Sequence, residues 1–179
     1  MQALLALARW IDALTDRFAF IAKWSVAAAC FISAANALVR YGFDYSSNAF
    51  LEIQWYLFAV CVMFGAPQVL RLNEHVRVDV LYGLYPTRAK VWVDLGGLVL
   101  FLLPMAVLVM VLTWPLVVTQ YVNNEYSSNA GGLIRWPVTA TVPVGLALLV
   151  LQALSEIVKR VGWLLHVHDM DTHYERPLQ

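Results

Sequence analysis

The stretch LVLFLLPMAVLVMV at residues 98–111 has no polar side chain on any face of a helix. A soluble helix keeps a polar stripe toward water, so this segment argues against a soluble all-helical core. Extended outward, the apolar run covers residues 91–118 with a single charge, Asp94. Roughly 20 apolar residues cross a hydrocarbon core of about 30 Å, so the run is long enough to span a bilayer. Three further runs meet the same criterion. Residues 18–39 are apolar apart from Lys23, Ser25, Ser33 and Asn36, residues 50–70 are interrupted only by Glu52, Gln54 and Gln68, and residues 136–158 hold one charge, Glu156. Backbone groups in lipid must be satisfied within their own segment, so the runs are expected to be helices. The expected fold is an all-α integral membrane protein with four transmembrane helices. Composition agrees, with 61% hydrophobic and 13% charged residues against about 25% charged in soluble domains.

Lys and Arg near the segment ends set orientation. Arg9, Arg17, Lys23, Arg71, Arg77, Arg88, Lys90, Lys159, Arg160 and Arg176 fall on one side and Arg40 and Arg135 on the other, ten against two. This places both termini and the central loop in the cytoplasm. Trp24, Trp55, Trp92, Trp114, Trp136 and Trp163 lie at or near segment ends, where indole rings favour the headgroup level. Residues 1–17, with Leu4, Leu7, Trp10, Ile11 and Leu14 at helical spacing, are expected to form an interfacial amphipathic helix, with packing on a partner subunit as its alternative use. Residues 18–160 form the membrane domain, and 161–179 a polar cytoplasmic tail. The half-apolar central stretch, residues 72–90, suits a short helix along the membrane plane, an extended segment or a solvated loop, with Pro86 as its end. Acidic Asp12 and Asp16 precede a full-length span, unlike the basic start of a secretory signal, so the first span is expected to be retained.

Little in the chain carries chemistry. Cys30 and Cys61 lie in apolar runs without C-x-x-C spacing and read as buried small residues. His75, His166, His168 and His173 all fall outside the spans, which removes the paired intramembrane ligands of a haem-carrying anchor. His166, His168, Asp169, Asp171 and His173 read as a solvated tail more readily than as a metal site. There is no phosphate loop or nucleophile motif, no nucleic-acid partner is expected, and the middles of the spans offer only Ser33, Cys30, Cys61 and Gly65. No enzyme activity and no catalytic, cofactor or metal residue is assigned.

The ionisable residues in the spans have structural readings. Lys23 snorkels to the headgroups, and Asp94 pairs with Lys90 one turn away. Glu52, at the outer start of the second span, is expected to meet Arg40, at the outer end of the first. The outward loops share a hexapeptide pattern, Asp44-Tyr45-Ser46-Ser47-Asn48-Ala49 and Glu125-Tyr126-Ser127-Ser128-Asn129-Ala130. Ser and Asn before a helix are N-caps. The shared order also suits one outward surface that meets a partner through Tyr45, Asn48, Tyr126 and Asn129. Gly131, Gly132, Pro137 and Pro143 are expected to bend or break the outer end of the fourth segment.

Leu51, Glu52, Ile53, Gln54, Trp55 and Tyr56, then Gly65 and Ala66, Arg71, and His75, Val76, Arg77, Val78, Asp79 and Val80 resemble the signature of the small, Q-type membrane subunit of tripartite ATP-independent periplasmic (TRAP) transporters. Pro143, Gly145 and Gln152 also fit, and the resemblance runs from about Arg17 to Arg160. It implies a multi-pass protein of the bacterial inner membrane that pairs with a large M-type subunit holding the substrate and sodium sites. A periplasmic binding protein delivers an organic acid to the pair, and uptake is ion-coupled symport without ATP. The small subunit's implied role is an immobile scaffold, with no cofactor of its own. The loop over residues 114–135 looks closer to the branch linked with 2-oxo acids, lactate or mannitol and chloroaromatic labels. For Arg71, His75, Arg77 and Asp79 the implied role is a cytoplasmic charge network contacting the large subunit; the alternative is positive-inside topology with a solvated loop. Other readings are a membrane anchor for a respiratory or other enzyme complex, and a self-contained carrier.

Overall fold

The computed structural model describes residues 1–45, 47–73, 82, 85–167 and 169. Helix α1 is Gln2–Phe43, α2 is Asn48–Leu72, and α3 is Thr87–Gly97. A π-helical turn, Leu98–Leu102, joins α3 to α4, Leu103–Val122, and α5 is Trp136–Leu164. By length and composition the chain has four helical rods able to cross a membrane: α1, α2, the α3–π–α4 unit and α5. Among the described residues there is no strand, only the isolated bridge between Tyr126 and Ile134.

Local chemistry explains the ends. From residue 2 to 41, α1 contains neither Gly nor Pro and is rich in Ala, so nothing interrupts 42 helical residues, about 63 Å. It stops after Gly42 and Phe43, with Asp44 left-handed at φ 49°. The expected boundary at residue 17 is therefore not a helix break, and the amphipathic stretch and first span are one rod. Ser47 Oγ accepts from Ala49 N at the start of α2, and left-handed Asn73 donates to Leu70 O at its end. Pro86 precedes the first residue of α3, so the third rod begins earlier than residue 91. The π turn ends two residues before Pro104, whose ring would clash with the carbonyl of Leu100 in an α-helix, and Leu103 N donates instead to Leu98 O. Pro143 lies inside an unbroken α5 and Pro137 at its first turn, so neither breaks the segment.

Helix α5 is the centre of the bundle, packed on α1, α2 and α4. It has 39% of its most apolar stretch buried, against 6% for α2. Leu70 of α2, Leu98 of the π turn and Ala153 of α5 form a buried cluster, closed by Leu102, Leu103, Leu149 and Ile157. Helices α2 and α5 touch backbone to backbone. A Cβ on Gly145 would lie 2.6 Å from Met63 Cβ and 2.8 Å from Met63 O. Pro67, one turn on, has no N–H to give the Met63 carbonyl, which is left facing the glycine. Cys30 is exposed and Cys61 half-buried, not buried as expected, because both face the bundle's outer surface. Large apolar side chains cover that surface, including Phe31, Phe58, Phe101, Met105 and Leu112.

Candidate functional site

The polar side chains of the rods collect in two layers, here called outer and inner after the orientation expected from the sequence. The outer layer is built by residues 123–135, which fold as a small hairpin over the first turns of α2. Ser127 N donates to Leu133 O at 2.9 Å and Arg135 N to Glu125 O at 2.9 Å, while Gly131, at φ 71°, makes the turn. Glu52, 3% exposed, is the hub of this layer. Its carboxylate accepts from Ser127 Oγ, from Asn129 Nδ2 at 2.8 Å and from Leu133 N at 2.6 Å. Gly132 leaves room for this contact, since a Cβ there would stand 2.9 Å from Glu52 Oε1 and 2.6 Å from Ser127 Cβ. Asn48 Nδ2 donates to Ala130 O at 2.9 Å and Tyr56 Oη to Ile134 O at 2.8 Å.

The expected Glu52–Arg40 pair is not formed. The hairpin brings neutral donors onto the carboxylate, Arg40 is exposed at the end of α1, and Arg135 pairs with Glu125 at 3.0 Å. The two hexapeptides are adjacent through Asn48 and Ala130, but their serines do different work. Ser47 caps α2, whereas Ser127 holds Glu52 and α5 begins later with no side-chain cap. Tyr45, Trp55 and Tyr126 are exposed, at 60%, 66% and 63%.

The inner layer joins α1, α2, α3 and α5. Lys159 Nζ lies 2.7 Å from Asp12 Oδ2 and 2.9 Å from Glu156 Oε1. Gln152, fully buried, accepts from Thr15 Oγ1 at 2.8 Å and donates to Asp12 Oδ1 at 2.9 Å. Ser155 Oγ donates to Asp12 Oδ1 at 3.1 Å. Arg160 pairs with Glu156 and reaches Asp94 Oδ2 at 3.5 Å, and Asp94 Oδ1 accepts from Tyr82 Oη at 3.1 Å. Arg71 Nη2 lies 2.6 Å from Asp16 Oδ1 on α1. Arg71 thus joins a network, but with α1; His75, Arg77 and Asp79, with most of the central segment, lie outside the described residues.

The sequence reading missed Asp12, Thr15, Ser155 and Lys159 as network members. The signal was present, since Gln152, Ser155, Glu156, Lys159 and Arg160 recur at three- and four-residue spacing on one face of α5. No group of three or more His, Cys, Asp and Glu that could hold a metal occurs among the described residues. His168, Asp171 and His173 fall outside those residues, and His166 Nε2 lies 3.3 Å from Arg88 Nη2.

About 36 Å of helix separates Asp16 from Arg40 on α1 and Arg135 from Lys159 on α5, so the two layers bracket a slab slightly thicker than a hydrocarbon core. A four-rod bundle whose charges at the helix contacts tie its own helices together defines a small polytopic membrane component. The family model for tripartite ATP-independent periplasmic transporters, DctQ component, matches residues 29–162. The chain belongs to that family and is the small membrane component of such a transporter, not an enzyme. No curated protein and no solved structure matches it.

Proposed function

We propose that this subunit pairs with a large many-helix membrane subunit as the fixed scaffold of an ion-coupled importer of an organic acid, supplied by a periplasmic binding protein. The observation that carries the reading is how the charges at the helix contacts are used. Asp12, Glu52, Asp94, Glu156, Lys159 and Arg160 all bond this chain's own helices and hairpin, which makes the bundle one stiff body. A carrier needs polar groups that bind and release cargo near the midplane; these groups lie at the two faces and are occupied. Substrate and coupling-ion recognition then belong to the large subunit and the binding protein. Both termini lie in the cytoplasm, following the ten-to-two cation asymmetry.

Purification of the tagged chain from native membranes in mild detergent tests the pairing. A stoichiometric larger polytopic protein is expected, and proteoliposomes holding both should take up an organic acid only with the binding protein and a sodium gradient. Recovery of the chain with a haem or iron–sulfur protein, or uptake by the chain alone, would overturn the reading.

A further inference from the structure

The start of α1 interleaves Arg9, Asp12, Asp16 and Arg17, a stretch without net charge in sequence. The fold separates those charges. Asp12 turns to Lys159 of α5 and Asp16 to Arg71 of α2. Arg9, Arg17 and Lys23 are exposed and have no ion-pair or hydrogen-bond partner among the described residues. Trp10, Arg17 and Trp24 recur every seven residues, and so line up on the face opposite buried Ala8, Ile11, Thr15, Ala19 and Ala22. Both tryptophans are 62% exposed, and Phe20 packs edge-on against Trp24 at 6.2 Å.

This face sits at the level of the inner polar layer. Indoles settle among headgroups, a guanidinium gives phosphate a two-pronged set of donors, and an ammonium on an alkyl stem reaches the headgroups from within the slab. Lys23 stands about a third of a turn round the helix from Arg17 and Arg9 about a quarter of a turn, so both flank the indole stripe. We propose that this face binds the phosphate of an anionic phospholipid, with Arg17 between the two indoles as the principal contact and Arg9 and Lys23 adding charge from its flanks. Charge complementarity decides for lipid over a protein partner. A protein helix packed on the indole stripe would have to bury Arg17 uncompensated, with two more free cations at its flanks, whereas a lipid phosphate supplies the negative charge and leaves them at the water boundary. Only the choice of inner leaflet rests on the orientation proposed above; the headgroup preference does not.

The test uses the full chain in phosphatidylcholine nanodiscs containing brominated phosphatidylglycerol or, at the same mole fraction, brominated phosphatidylcholine. Trp55, Trp92, Trp114, Trp136 and Trp163 are replaced by Phe so that fluorescence reports Trp10 and Trp24. The brominated anionic lipid should quench about twofold more. Combined Arg9→Gln, Arg17→Gln and Lys23→Gln should remove the difference, and Arg40→Gln at the outer end should leave it. Native mass spectrometry of the otherwise unaltered chain gives a second readout, with phosphatidylglycerol retained by the wild type and lost from the triple variant. Equal quenching by both lipids, or a preference that survives the triple substitution, overturns the proposal. So does a preference that disappears when the large subunit is co-reconstituted, which would make this face a protein interface.

Discussion

Glu52 shows how much one side chain can organise when its partners come from a distant stretch. Its carboxylate fixes the hairpin through two side chains and one backbone N–H, and only Gly132 fits beside it. Glu52→Ala removes the acceptor for all three and should make the hairpin several-fold more sensitive to a protease added from outside, with assembly weakened; Arg40→Ala should leave cleavage unchanged. The opposite ranking would restore the pair expected from sequence. In the inner layer, exposure decides the size of the effect. Lys159 and Asp12 are 15% and 18% exposed, so Asp12→Ala, which leaves Lys159 with Glu156 alone and takes an acceptor from Gln152 and Ser155, should cost about 1–3 kcal/mol, read as a lower unfolding temperature in detergent. The Arg71–Asp16 pair, 22% and 47% exposed, is screened by water, and Arg71→Ala should cost under about 1 kcal/mol.

At the scale of the element, each helix carries its own punctuation, but the contacts that position it come from its neighbours. The π turn is the local answer to Pro104, and Asp44 and Asn73 are the left-handed stops of α1 and α2. Gly145 is different in kind, because α5 would be helical with almost any residue there; glycine is needed for the approach of Met63. Gly145→Ala should keep the helical content and cost about 1–3 kcal/mol by forcing α2 and α5 apart. Circular dichroism and thermal unfolding of the purified chain separate these effects, and an unchanged midpoint would mean the two backbones are not in contact.

Across the whole molecule, the two polar layers act as the rims of an apolar slab, and α1 runs past the inner rim. About 63 Å of helix exceeds an upright crossing of a core of about 30 Å, so residues before Asp12 extend beyond the inner layer against the end of α5. With Cys30 and Cys61 replaced by Ala, a membrane-impermeant thiol reagent should label Ser128→Cys in cells whose outer membrane alone is permeabilised, and Ala6→Cys only after the inner membrane is opened as well. Reversed labelling would invert the proposed orientation.

The sequence by itself determined the membrane class, the four apolar rods, the outer hexapeptides and the family. Each of these is carried by local composition or order: a run such as residues 98–111 has no alternative use, and the motif around Glu52 is contiguous. What only the tertiary structure decided is which polar groups meet. Glu52 and Leu133, Asp12 and Lys159, and Gly145 and Met63 are far apart in the chain, and the sequence offered Arg40 as a nearer partner for Glu52. In a helical bundle the choice among partners of like chemistry depends on the rotation and register of each rod. Apolar residues facing lipid and those facing another helix read alike, so the periodic pattern that fixes rotation in a soluble bundle is weak here. The packing of α1 and α2 on α5 supplies it instead.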